Sequence, residues 1–332
     1  MTSAAGVAVI GCGYWGRNLV RNFAEHGVLR AVCDDSEAVA REQAGRYKVP
    51  ARGLDDLLAD PEISAVAIAT PAVTHASVAT RALEAGKHVF VEKPIAVDIR
   101  DAEALNALAG KAGRVLMVGH LLRYHPVFVR LHAMVREGRI GRLQHIYSHR
   151  LNLGKVRREE NILWSFAPHD ISMILALVGA EPARVSAIGS CILNESIADV
   201  TTTHMEFPGG EHAHVFVSWL HPYKEQKLVV VGDGCMAVFD DTQPWDRKLA
   251  LYPHTIEWKN GAPVPNRADV DWVAVGEAEP LREETRHFLD CCAGRDRCLT
   301  DGAEAIRVLR VLQASERAMK LRAGVDLAAL EN

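Results

Sequence analysis

Three short segments of this 332-residue chain carry residue types that do chemistry together. Glu92-Lys93-Pro94 closes an apolar run at residues 88–91. An ammonium there can hydrogen-bond an alcohol oxygen and stabilise the alkoxide-like charge that grows as hydride leaves the adjoining carbon. Pro94 restricts the backbone at Lys93, through a cis bond if that isomer is adopted. Further along, His169-Asp170 follows Ala167-Pro168, and a neutral imidazole takes a hydroxyl proton near neutral pH. Both segments also have plainer readings. Glu-Lys-Pro is common on surfaces, and Ala167-Pro168-His169-Asp170 is a good helix start ahead of Ile171, Met173, Ile174 and Leu177. The third segment, Gly11-Cys12-Gly13-Tyr14-Trp15-Gly16, follows an apolar run at 6–10. Gly11 permits a tight turn, Gly13 lets the backbone approach a pyrophosphate, and Gly16 lets a helix pack close to its strand. A second run at 29–33 ends at Asp34, about where a dinucleotide fingerprint puts the acid that binds the adenosine ribose. That acid, followed by Asp35 rather than Arg, favours NAD over NADP, since a 2′-phosphate would meet like charge.

These groups must be positioned by the elements between them. Apolar runs at 7–10, 29–33, 65–69, 88–91 and 115–118 alternate with helical patterns at 15–26, 73–84 and 98–111. Such βαβ spacing predicts a doubly wound parallel sheet with ligands at the carboxyl ends of its strands. Those ends carry Gly11, Asp34, Thr70-Pro71, Glu92-Lys93-Pro94 and Gly119-His120. After about residue 120 a helical segment at 127–137 precedes extended runs at 143–153, 185–193, 200–207, 212–220, 227–231 and 236–240. Pro208-Gly209-Gly210 and Gly232-Asp233-Gly234 join consecutive strands, which predicts a mostly antiparallel sheet with one face covered. Helical patterns at 283–292 and 303–322 close the chain. The expected fold is therefore α/β: an N-terminal Rossmann domain over 1–121, then an α+β domain over 122–332 built on an open, mostly antiparallel sheet, with a C-terminal helix in position to pack back on the first domain.

Composition narrows the function classes. An apolar content of 48% supports large cores, and a net charge of −4 with interspersed signs argues against a nucleic-acid partner. Seven cysteines form an odd set without zinc-type spacing, which fits reduced thiols. His204, His212 and His214 lack companions that would complete a metal site, so no metal is expected. No run approaches membrane length and the N-terminus has no secretion-signal pattern, so the expected setting is cytoplasmic with no membrane partner.

The glycine loop, Ala69-Thr70-Pro71 with His75, Glu92-Lys93-Pro94 and His169-Asp170 together resemble the Gfo/Idh/MocA family of NAD(P)-dependent sugar oxidoreductases, over almost the whole chain and in domain order. The resemblance implies an NAD site formed by Gly11, Gly13, Tyr14, Trp15, Gly16, Asp34, Thr70, Pro71, His75, Glu92, Lys93 and Arg123. It implies catalysis by Lys93 and His169, and a second domain used for substrate and for homodimer or homotetramer contacts. Ser165 stands where many members have aspartate four residues before the histidine, so His169 should be less readily protonated. Residues 149–170 are similar to a narrower branch that oxidises the 3-hydroxyl of UDP-linked N-acetylated amino sugars such as UDP-N-acetylglucosamine. In that branch the keto product passes to an aminotransferase, toward a 2,3-diamino sugar for lipid A. The expected substrate set is Lys93, Arg150, Asn152, Lys155, Arg157, Arg158, Asn161, Ser165 and His169. Lys155, Arg157 and Arg158 would meet the pyrophosphate, and Asn152 and Asn161 the sugar or acetamido groups. Glu159 and Glu160 offset much of that charge, as in a solvated loop. Two other functions stay open: a dehydrogenase of a free cyclitol or aldose, and a noncatalytic sensor of NAD or nucleotide sugars, which Ser165 motivates.

Overall fold

The computed structural model describes residues 6–154, 156–158 and 160–330. They form two compact units. The first runs to Tyr124 and resumes over Glu279–Arg307, and the second comprises His125–Ala278 and the chain from Val308 on. The return differs from the sequence reading, which assigned everything after residue 121 to the second domain. Its physical reason lies in the helix Pro280–Cys292, whose Leu281 and Phe288 join the core of the first unit. Phe288 is fully buried and meets Phe23 and Phe90 edge-on, at 6.3 and 5.8 Å between ring centroids. Truncating so buried an aromatic costs about 3–5 kcal/mol, enough to fix the helix there.

In the first unit, strands β1 (Val7–Ile10), β2 (Leu29–Cys33), β3 (Ala65–Ile68), β4 (His88–Glu92) and β5 (Leu116–Gly119) form a parallel sheet in the order β2-β1-β3-β4-β5. Helices α1 (Gly16–Glu25), α2 (Glu37–Tyr47), α3 (Leu54–Ala59), α4 (Ala72–Glu84) and α5 (Ile99–Ala112) connect them. Every residue of β1 and β3 is buried, so these strands read as unbroken apolar runs rather than alternating ones. Ala51 makes a single parallel bridge to Val32 on the outer edge of β2. Chain direction across the sheet reverses between β1 and β3, where doubly wound folds bind their ligands. Asp98 caps α5 by accepting from the Arg100 N–H at 2.8 Å, and Gly113, at φ +61°, ends it.

In the second unit, α6 (Pro126–Arg136), β6 (Leu143–Leu151) and α7 (Ile162–Val178) precede β7 (Arg184–Ser190), β8 (Val200–Glu206), β9 (His212–Ser218), β10 (Glu225–Gly232), β11 (Met236–Asp240) and β12 (Leu249–Tyr252). The nine-stranded sheet has the order β12-β11-β10-β6-β9-β8-β7, extended by Asp271–Trp272 beside β12 and Val325–Asp326 beside β7. All pairings are antiparallel except β6 with β9. Helix α7 packs on β6, β8 and β9. The opposite face carries His145, Tyr147, His149, His204 and His214, with Tyr147 stacked on His214 at 5.2 Å. Burial, then the neighbouring histidines, push the His214 pKa down to about 4. Among the described residues no three His, Cys, Asp or Glu side chains are arranged to hold a metal, and no helix is long and apolar enough to cross a membrane.

One local expectation is corrected. Helix α7 does not start at Ala167-Pro168; it starts at Ile162, and Pro168 is its seventh residue. Asn161 makes that start possible, because its side-chain oxygen accepts the Trp164 N–H at 3.2 Å. Pro168 removes one helix hydrogen bond, a cost offset by burial of Ile162, Leu163, Ile171 and Ile174 around it.

Candidate active site

The glycine loop fits a dinucleotide at each glycine. Gly11 has φ +85°, and a Cβ on it would lie 2.7 Å from the Ala69 carbonyl and Thr70 N. A Cβ on Gly16 would lie 1.8 Å from Gly11 O, so only glycine lets α1 pack this close. Over Gly13 there is open space within 4 Å, where a diphosphate needs it. Trp15 puts no side-chain cap on α1 and no acid occupies its first turn, which leaves the helix start suited to an anion. At the end of β2, Asp34 is fixed by two backbone donors, Cys12 N at 2.7 Å and Ser36 N at 2.9 Å. A carboxylate accepts more than two hydrogen bonds, so ribose hydroxyls can still be received. Burial, then the Asp34 charge, push the Cys12 thiol up to about 12, which removes it as a nucleophile.

The ends of β3, β4 and β5 bring together the remaining first-unit residues. His75, on α4 and only 2% exposed, spans two loops: Nε2 meets Thr70 O at 2.9 Å and Nδ1 meets Pro94 O at 2.7 Å. Burial lowers its pKa and the Lys93 charge adds to this, while the two carbonyls pull the other way. His75 thus holds the Thr70-Pro71 turn against the Lys93-Pro94 turn, where the Lys93–Pro94 bond is cis. Thr70 Oγ1 accepts from Thr74 Oγ1 at 2.8 Å, and Pro71 precedes α4. Glu92 accepts from the Trp15 indole N–H, tying the end of β4 to the glycine loop. Burial pushes the Glu92 carboxyl up to about 7, against the pull of Trp15 and Lys93. Gly119 is the register partner of Glu92, and a Cβ there would come within 2.9 Å of the carboxylate. Tyr14 is 85% exposed. Arg123 pairs with Glu304 at 3.4 Å, and the same carboxylate takes His120 Nδ1 at 2.6 Å. Glu304 was invisible in the sequence, because 184 residues separate it from His120.

In the second unit, α7 presents Ser165 and His169 four residues apart and so on one face. Ser165 is buried and His169 half-buried. Arg150 is engaged elsewhere: Nε and Nη2 form a two-pronged pair with Asp170 at 2.6 and 3.1 Å. Ser148 also donates to Asp170, whose side chain is 1% exposed. The guanidinium expected on substrate is thereby part of the β6–α7 packing, a role the sequence did not signal. Arg157 pairs with Glu160 at 3.1 Å. Arg158 is exposed, and Asn152 follows β6 with its N–H on Ser218 O at 3.0 Å. Lys155 and Glu159 lie outside the described residues.

Residues 5–120 match the family described as "Oxidoreductase family, NAD-binding Rossmann fold", and residues 128–238 match "GFO/IDH/MocA C-terminal domain". The chain belongs to the Gfo/Idh/MocA oxidoreductase family. It is therefore an oxidoreductase, and its first unit is the family's NAD-binding domain. Within the family, the chain is 30% identical over 303 residues to the UDP-N-acetylglucosamine 3-dehydrogenase of Acidithiobacillus ferrooxidans, covering 91% of this chain and 93% of that one. A crystal structure of that dehydrogenase, GnnA, superposes with a TM-score of 0.84 at 28% identity, over 95% and 97% of the two chains. The scyllo-inositol 2-dehydrogenase (NAD(+)) of Bacillus subtilis is 28% identical over 232 residues, 65% of this chain and 68% of that one.

Proposed function

We propose that this oxidoreductase oxidises the 3-hydroxyl of a UDP-linked N-acetylated amino sugar, converting UDP-N-acetylglucosamine to its 3-keto form with NAD as acceptor. The observation that carries this reading is the similarity to a UDP-N-acetylglucosamine 3-dehydrogenase along both units. NAD, when bound, supplies the carbon that accepts hydride; the protein supplies orientation and charge. Lys93 holds the hydroxyl oxygen and stabilises its developing negative charge. His169 takes the hydroxyl proton, and Ser165, one turn earlier, offers a hydrogen bond without a charge. Asn161 has its oxygen on the Trp164 N–H, so its amide N–H groups serve as donors to an acetamido carbonyl. Lys155, Arg157 and Arg158 meet the nucleotide diphosphate, and Asn152 the sugar. The histidine-bearing face of the nine-stranded sheet makes the homo-oligomer contact, and an aminotransferase consumes the 3-keto product.

One observation favours a second reading, oxidation of a free cyclitol or aldose. Arg150 and Arg157 are both engaged in ion pairs, which reduces the cationic cover for a pyrophosphate. The two readings separate on initial rates of NADH formation with UDP-N-acetylglucosamine, free N-acetylglucosamine and inositol. Preference for the nucleotide sugar is the expected result; preference for either free compound overturns the first reading.

A further inference from the structure

The first unit contains a cluster of reactive side chains that the dehydrogenase chemistry does not use. The helix Pro280–Cys292 carries His287 and Cys291 four residues apart, on one face. Cys291 Sγ lies 3.4 Å from His287 Nε2, and His287 Nδ1 lies 3.5 Å from Asp296 Oδ2. The Leu299 N–H also points at Nε2, at 3.3 Å, so that nitrogen is an acceptor and the ring proton sits on Nδ1, toward Asp296. The arrangement is that of a nucleophile, a base and a group that orients the base. Cys298 lies seven residues further along, within the same unit. Both cysteines, with Asp296, Arg114 and Asp301, line a cleft of about 350 Å³. A small solute therefore has access to a thiol that is itself only 6% exposed.

We propose that Cys291 and Cys298 form a dithiol that reacts with hydroperoxides, Cys291 as the attacking thiol and Cys298 as the resolving one. His287 Nε2 takes the Cys291 proton, and the thiolate sulfur attacks one peroxide oxygen. The O–O bond breaks, and the departing oxygen leaves as an alcohol, or as water from hydrogen peroxide, with the proton returned by His287. Cys291 is now a sulfenic acid, oxidised by two electrons. The Cys298 sulfur then attacks the Cys291 sulfur, the S–O bond breaks, and water departs with the Cys298 proton. The net change is two thiols and one peroxide to one disulfide, one alcohol and one water. The Cys298 thiol, then the imidazolium that His287 becomes on taking the proton, hold the Cys291 thiol below the usual thiol range against burial. The contact with His287 Nε2 at 3.4 Å assigns the attacking role to Cys291. The neighbouring Cys292 is raised by burial and stays outside the reaction.

The test exposes the full-length protein to hydrogen peroxide, blocks remaining thiols, and maps cysteine-containing peptides by mass. The expected product is a Cys291–Cys298 disulfide that dithiothreitol reverses. In Cys298→Ser, dimedone should trap a sulfenic acid on Cys291. Without peroxide, iodoacetamide at about pH 7 should label Cys291 roughly tenfold faster than the exposed Cys191, because a lowered thiol pKa raises the thiolate fraction. His287→Gln, checked for unchanged NADH binding, should remove that advantage. Oxidation confined to Cys191, a Cys291–Cys292 disulfide, or equal labelling rates in His287→Gln and the unaltered protein would overturn the proposal.

Discussion

Replacing Asp170 by Asn tests whether Arg150 belongs to the packing or to the substrate. The guanidinium side chain is 11% exposed and the carboxylate 1%, with two short hydrogen bonds between them. The amide keeps the shape of the carboxylate but leaves a buried cation without its counter-charge. Breaking such a pair costs about 3–5 kcal/mol. At about 2–4 °C per kcal/mol for a unit of this size, the melting temperature should fall by roughly 10 °C. Removing both charges, in Arg150→Met with Asp170→Leu, should recover most of the loss, since an apolar pair of similar volume carries no desolvation penalty. Urea unfolding followed by circular dichroism gives the free energies, and an NADH titration checks that the first unit is untouched. If Asp170→Asn instead stays within about 1 kcal/mol of the unaltered protein, and Arg150→Met raises KM for substrate without lowering stability, the packing role is refuted.

Three further outcomes follow from the first unit. Gly16→Ala puts a Cβ 1.8 Å from Gly11 O and must displace the loop, so NADH affinity measured by fluorescence should fall more than about tenfold. Lys93→Ala should bind NADH normally yet lose turnover by about two to three orders of magnitude, and near-normal turnover would remove its catalytic role. Glu92 has a folded pKa of about 7, above its unfolded value, so the folded state holds a proton that the unfolded state releases from about pH 4.5 upward. Stability should therefore decline by about 1–2 kcal/mol as pH rises through that window, with part of the effect screened by water. Glu92→Gln should abolish that slope in urea unfolding at about pH 5 and pH 8.

The sheet of the first unit was legible because its strands are buried on both faces and its glycines are needed for steric reasons that sequence spacing preserves. The strands at 200–206, 212–218 and 236–240 were legible from glycine-containing turns between partners. What escaped were short or locally unpatterned pieces: β12, the exposed hairpin Thr255–Lys259 with Ala262–Asn266, and the two-residue edge strands. The start of α7 was missed because Pro168 suggests a first turn, whereas the deciding cap is Asn161, which the sequence reading had assigned to substrate. The roles of Asp170 and Glu304 were hidden for another reason. Their partners come from other elements, and only the fold brings a carboxylate to Arg150 or to His120 and Arg123.

The most direct test of the proposed activity uses UDP-N-acetylglucosamine carrying deuterium at C3 of the sugar, with NAD and the full-length protein. Transfer of that deuterium to the nicotinamide ring, with a slower rate than for the protiated sugar and a 3-keto nucleotide sugar as product, is the predicted result. NADH that forms without deuterium, or no NADH from this sugar while inositol is oxidised, would contradict it.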